Sequence, residues 1–315
     1  MFETFKATLS PMLVLFLCIL FGFVINKRNL MPKNSANVLS KLETYVICPC
    51  LIIENFMTYC KIESFKLYYP IVLYSIIACL VAIFTAIFLS KFFVKEGYNR
   101  NIYKYALTFA NFGFMGNAIV PAILGEEILY KYMLFTLPLN VAVYSWGVTN
   151  LIIRKDENKK INPLKNLINP IFFSILIGMI LGVLNLKPYI PTFITSTIHN
   201  FAVCMGPIAM FLTGFVIGDF NVLKLIGNKK VYIASALRLI ILPAVLVAIL
   251  KFAGANETIL TCCLFAYATP LGLNTVIFPA AYGGDADTGA SMAMISHTLC
   301  VITIPVMYSI FTAVI

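Results

Sequence analysis

The chain has 315 residues, of which 61% are hydrophobic and 11% charged, and its formal net charge is +10. A soluble domain carries roughly 25% charged residues, so there is too little polar surface to cover a water-soluble globule and lipid is the expected solvent. A basic balance of this size raises nucleic acid as a partner. The Lys and Arg side chains lie between apolar runs, however, where the positive-inside rule accounts for them.

A bilayer-spanning helix needs about 20 mostly apolar residues. Ten such segments follow one another, at 9–26, 36–58, 68–90, 103–124, 128–153, 167–185, 191–218, 230–252, 257–281 and 288–313. The first resembles the apolar core of a signal peptide. Only Lys6 is basic ahead of it, Glu3 is also there, no small-x-small site follows, and Lys27 and Arg28 come after it. It is therefore expected to be a retained span. Glu43 and Glu54 lie toward the ends of the second span and are expected at the interfaces. The fourth segment contains Asn111-Phe-Gly113-Phe-Met-Gly116-Asn117-Ala-Ile-Val-Pro121. Glycine frees the backbone and proline removes a donor, so this helix is expected to break. The longest polar stretch, Arg154 to Asn169, is a loop. The eighth segment carries Arg238, about nine residues in from Lys229, or roughly 14 Å along a helix. The ninth holds the matching break, Thr269-Pro270-Leu-Gly-Leu-Asn274-Thr275, closed by Pro279. Gly283-Gly284-Asp285 is a turn, and His297 lies within the tenth segment.

The nine cysteines sit mostly in apolar runs, with no zinc or redox spacing, and are expected to be small buried residues. Neither His-Glu-x-x-His nor a phosphate-cradling glycine-lysine loop occurs. A membrane-embedded enzyme would need such a constellation. No metal or cofactor is expected.

Counting flanks, the connections after segments one, three, five and seven hold sixteen Lys and Arg residues, against six on the other side. This places the basic loops in the cytoplasm and both termini outside. Ten spans with the most basic loop in the middle divide as five plus five, with halves at 1–153 and 154–315. Five spans reverse the direction of a copy, which makes the halves an inverted repeat. Pro49 matches Pro207, Asn111–Pro121 matches Thr269–Pro279, and Pro138 matches Pro305. The spacing from Pro49 to Asn111 is 62 residues and from Pro207 to Pro270 is 63.

Paired interrupted spans in two halves are the best sequence pointer to a transporter site. Irregular backbone at membrane depth survives only against protein or a water-filled cavity. Helix N-termini expose N–H groups and partial positive charge, which suits an anion. Asn111, Gly113, Asn117, Thr269, Pro270, Asn274 and Thr275 are the candidate substrate residues. Arg238 and His297 are candidates for a charge or proton role, because intramembrane ionisable groups are costly and usually functional. The competing readings are a pair of packing kinks, a structural Arg and a hydrogen-bonded His.

These stretches, together with Gly206-Pro207, Thr213-Gly214, Arg238-Leu239, Pro243 and Tyr282-Gly283-Gly284-Asp285, resemble the auxin efflux carrier family. That family includes plant carriers and bacterial malate- or malonate-permease-like members. The resemblance covers the whole chain. It implies an all-α integral membrane protein of ten transmembrane helices, a 5+5 inverted repeat with helices four and nine broken and crossing, like bile-acid and sodium/proton carriers. It implies a scaffold of spans one, two, six and seven and a mobile unit of spans three to five and eight to ten. It implies elevator-type transport of a small organic anion, with Asn111 and Asn274 as substrate-side amides. The expected partners are that anion, the lipid bilayer and a second copy of the chain through the scaffold. Two departures stand out: proline in span four comes only at Pro121, and span three has no acidic residue, unlike plant carriers. Substrate and coupling ion, H+ or Na+, therefore do not transfer. An ion-coupled carrier of another substrate on the same fold is the nearest alternative.

Overall fold

The computed structural model describes residues 1–152, 169–282 and 284–314. The most basic loop and the boundary expected at 153/154 fall outside the described residues, as does Gly283. The described residues form helices α1 (Phe2–Lys27), α2 (Ser35–Tyr59), α3 (Ser64–Phe93), α4 (Tyr98–Thr108) and α5 (Phe112–Leu124). Helix α6 starts at Glu126–Ala142 and continues through Val143–Gly147 and Val148–Leu151. Then come α7 (Pro170–Val183), α8 (Thr192–Gly218), α9 (Lys229–Phe252), α10 (Glu257–Ala268), α11 (Asn274–Tyr282) and α12 (Asp287–Val314). Among these, six helices are long and apolar enough to cross a membrane: α1, α2, α8, α9, α12 and the Tyr68–Phe93 part of α3. Each of the ten apolar segments falls on a helix or a pair of helices.

Local chemistry sets the boundaries. Asn169 accepts from Phe172 N at 3.0 Å and Pro170 opens α7, where its missing N–H costs nothing. Asn256 caps α10 in the same way through Ile259 N at 3.0 Å. Gly125 has φ +85°, a left-handed conformation that L side chains avoid, and it separates α5 from α6.

Helix α1 packs along α8, and α2 packs along α7 and α8. Helix α3 packs on α4 and α6, α10 on α6 and α9, and α9 on α12; α1 also runs against α12. The α1–α8 contact is backbone to backbone. A methyl group on Gly214 would meet the Ile19 carbonyl, and one on Gly22 would meet Phe211 O. Beyond this seam Asn26 Nδ2 donates to Asp219 Oδ1 at 2.9 Å, and Lys27 Nζ donates to Phe220 O at 2.8 Å. In the connection between α8 and α9, Lys224 pairs with Asp287 at the start of α12, and this bond holds its ammonium above the usual lysine range. The outer faces of α1, α3 and α7 expose Leu17, Phe21, Phe84, Phe88 and Ile180, as a lipid-facing surface would. All nine cysteines are free; six are buried and Cys18, Cys50 and Cys204 are half-buried.

Substituting Gly214→Ala inserts a methyl group against fixed backbone. The expected cost is about 1–3 kcal/mol, measured as a lower thermal midpoint of the detergent-solubilised protein.

Candidate functional site at two paired helix breaks

Helix α4 stops at Thr108 and Phe109 turns extended, with φ −114° and ψ 127°. Ala110 then forms an antiparallel bridge with Leu271, and Asn111 N donates to Pro270 O at 2.7 Å. On the other strand of this short crossing, Thr269 is extended and Leu271 N donates to Ser296 Oγ at 3.0 Å. Gly272 runs so close to Ala110 that a Cβ there would sit 3.4 Å from its carbonyl. The two breaks are therefore tied to each other through backbone, and one hydroxyl from α12 takes a further N–H.

The helices restart immediately. Met115 N and Gly116 N both donate to Asn111 O, at 3.0 and 3.1 Å, in the wide π turn Phe112–Gly116 that opens α5. The N–H groups of Phe112, Gly113 and Phe114, at the very start of that turn, have no helical acceptor. At α11, Thr275 N donates to Gly272 O at 3.2 Å and Val276 N to Leu273 O at 2.8 Å. Tyr132 on α6 donates its hydroxyl to Phe112 O at 2.9 Å and lies where a side chain on Gly116 would be.

The crossing borders a cavity of about 280 Å3. Asn111, Gly113, Asn117 and Asn274 line it, joined by Asn140, Thr136, Ser40 and Thr44. A second cavity of about 530 Å3 approaches from the other end of α2, lined by Glu54, Asn55, Glu126, Lys187 and His199. Asn117 lines both. In the second cavity His199 Nδ1 bonds Glu54 Oε1 at 2.9 Å, and Asn55 Nδ2 donates to Glu126 Oε2 at 3.2 Å.

Four of the seven candidate substrate residues thus share a cavity wall. Thr269, Pro270 and Thr275 are buried behind it. Thr275 Oγ1 donates to Gly272 O at 2.8 Å, and Thr269 Oγ1 to Ala266 O at 3.4 Å. Their hydroxyls hold the break in shape. Asn274 Nδ2 donates to the Tyr105 hydroxyl at 2.7 Å, and Asn111 Nδ2 bonds His297 Nε2 at 3.1 Å. His297 Nδ1 lies 2.7 Å from Ala293 O. His297 is therefore connected directly to the crossing. Arg238 lines neither cavity. It is fully buried, its guanidinium carbon lies 5.0 Å from the centre of the Tyr267 ring, and none of its three nitrogens has a hydrogen-bond partner.

The reading of Glu43 needs correction. It does not reach an interface: it is fully buried, and neither carboxylate oxygen has a hydrogen-bond partner. It begins the π turn Glu43–Ile47, which packs on α7 and α8. The extra residue of a π turn shifts the helix register, so a regular helix places this side chain wrongly. Glu54 is half-buried and paired with His199. Sequence reasoning also missed Tyr105, Asn55 and Asn140. Asn140 sat two residues from Pro138, a usable signal, whereas Tyr105 was one of sixteen tyrosines.

A multi-pass helical protein with a polar cavity at paired helix breaks belongs to the class of membrane transporters. Residues 7–308 match the profile of the membrane transport protein family, so this chain is a member of that family, the auxin efflux carrier family. No curated protein matches the chain.

Replacing Ser296 by Ala leaves the buried Leu271 N–H without an acceptor. The expected loss is about 1–3 kcal/mol, read as a lower thermal midpoint with faster hydrogen exchange at Leu271.

Proposed function

We propose that this protein is a secondary transporter of a small organic anion, a mono- or dicarboxylate, working by an elevator-type movement. The observation that carries the reading is Asn117, reached by two cavities from opposite ends of α2. A single site that can be reached from either of two sides, one at a time, is what alternating access requires. The ten apolar segments are then ten spans in a 5+5 inverted repeat, with α4/α5 and α10/α11 as the broken fourth and ninth. Helices α1, α2, α7 and α8 form the scaffold, which is also the face for a second copy. Helices α3–α6 and α9–α12 form the moving unit. The Asn55–Glu126 hydrogen bond joins the two units, and breaking it accompanies the stroke. The basic loops assign the cavity at the Ser40 end to the cytoplasm.

The anion sits against Asn111, Gly113, Asn117 and Asn274. The first turn of α5 supplies N–H donors and partial positive charge. Arg238 supports the field from behind. Tyr267 belongs to the last turn of α10, whose carbonyls are left unpaired by the break, and a permanent cation beside them offsets their negative potential. A membrane-embedded enzyme is the competing reading, and the match to a membrane transport family favours transport over it.

The test is a thermal-shift screen of purified protein against malate, malonate, acetate and indole-3-acetate, with and without sodium. A ligand at 100 times its Kd adds about 2.7 kcal/mol to the folded state. At least one carboxylate raises the melting temperature of the wild type, and Asn111→Ala and Asn274→Ala proteins fold but lose the shift. Unchanged shifts in both variants would remove the crossing as the site.

A further inference from the structure

The two ring nitrogens of His297 have unlike partners. Nδ1 faces the Ala293 carbonyl at 2.7 Å, so it carries a hydrogen and donates it. Nε2 faces Asn111 Nδ2 at 3.1 Å, and an amide nitrogen can only donate. Nε2 is therefore a bare lone pair, and the ring is neutral. With Asn111 in this orientation, one of its two N–H bonds is spent on the imidazole, and its carbonyl oxygen is left among the groups bordering the cavity. In that state the amide suits an anion poorly, because it offers one donor and one repelling acceptor.

Resting on the anion-transport reading above, we infer that His297 is a proton switch that sets the polarity of Asn111, so that one proton enters with each anion. A proton from water binds the Nε2 lone pair and forms a new N–H bond. That N–H needs an acceptor, and the Asn111 amide supplies one by turning half a revolution about its terminal side-chain bond. Nε2–H then donates to Oδ1, and both Asn111 N–H groups face the cavity. A carboxylate accepts them and neutralises the imidazolium. For a monocarboxylate, or a dicarboxylate bound as its monoanion, the step balances: one proton and one negative charge come in, and no net charge is left in the membrane. Neither is well held alone. A buried imidazolium without a counter-charge is costly, and the anion without the proton meets the Asn111 oxygen. Two ligands that favour the same state bind with positive linkage.

No other charge on the surrounding elements takes over this role. On α12 itself the Cys300 thiol donates to the His297 carbonyl at 3.1 Å, and Asp287 is tied to Lys224 of the α8–α9 connection. Helix α9 brings Arg238, whose partner is the Tyr267 ring of α10; α10 otherwise has Glu257 at its start and the buried thiols Cys262 and Cys263, and α11 has no Asp, Glu, Lys, Arg or His. Helix α4 brings Lys104, bonded to Asn101 and Asn150, and Tyr105, bonded to Asn274. Helix α1 has Glu3 and Lys6 at one end and Lys27 at the other, and the part of α8 that packs on α12, Met205–Gly218, has no ionisable side chain.

The experiment is calorimetric binding of malonate, malate and indole-3-acetate to the purified full-length protein between pH 5.5 and pH 8. Buffers of different ionisation heat count the protons taken up. The switch requires uptake of up to one proton per anion, with affinity rising as pH falls, by up to tenfold per pH unit. His297→Gln keeps an amide near Asn111 but cannot titrate, so its affinity is the same at every pH. Glu43→Gln retains the wild-type slope. A wild-type affinity independent of pH would overturn the switch and leave the anion site standing, and this needs no variant to fold. A slope that survives in His297→Gln and vanishes in Glu43→Gln would overturn it by moving the proton to α2. No binding of any of the three acids at any pH would overturn the anion reading and the switch together.

Discussion

The structure depends on one constraint: a backbone N–H or C=O in lipid must find its partner within the protein. Breaking a helix at membrane depth orphans such groups, and here two breaks are placed to serve each other. Ala110 bridges Leu271, and the Asn111 N–H goes to the Pro270 carbonyl. The Leu271 N–H, which this exchange leaves over, is taken by Ser296. Neither break is tenable without the other. Residues some 160 positions apart are thereby held together, and the polar cavity forms where they meet. Proline at 270 fits the same logic, since it contributes the acceptor and removes a donor that would need a home.

Irregular helix recurs at several of the buried polar side chains, though not at His297 or Asn55. Glu43 and Arg238 each lie in a π turn, Glu43–Ile47 and Leu237–Ile241. A third opens α5 and includes Gly113, and a fourth, Val143–Gly147, contains the cavity-lining Tyr144. A π turn widens the helix by one residue and loosens its hydrogen bonding. It is a mild form of the same device, local backbone irregularity that aims a side chain inward. The unpaired guanidinium of Arg238 and the unpaired carboxyl of Glu43 are the largest electrostatic loads carried this way.

Much of this was legible from residue order. Apolar runs located the helices to within a few residues, because twenty consecutive apolar residues have one stable use in a bilayer. The second break was legible because Pro270 and Gly272 interrupt a helix, and the glycines at 113 and 116 flagged the first, although they lie within α5 and the extended residues are Phe109 and Ala110 just before it. Asn111 and Asn274 stood out as amides that need partners when buried in a span. What was illegible depends on which face a residue turns. Glu43 read as interfacial from its position near a span end, and only the π turn shows that it points inward. Thr269 and Thr275 read as ligand donors, yet their hydroxyls close on backbone carbonyls one turn back, a choice that sequence spacing leaves open. Tyr105 was invisible because its role exists only once α4 lies beside α11. The bond between His297 and Asn111 likewise joins helices far apart in the chain.

The central claim is that the paired breaks form one site reached from both faces of the membrane. Its most direct test is thiol labelling of a single cysteine placed at Asn117, with the nine native cysteines replaced, in right-side-out and inside-out vesicles. A membrane-impermeant maleimide should label it from either face, and a saturating carboxylate should slow both reactions. Labelling from one face only, or labelling that no carboxylate slows, would contradict the account.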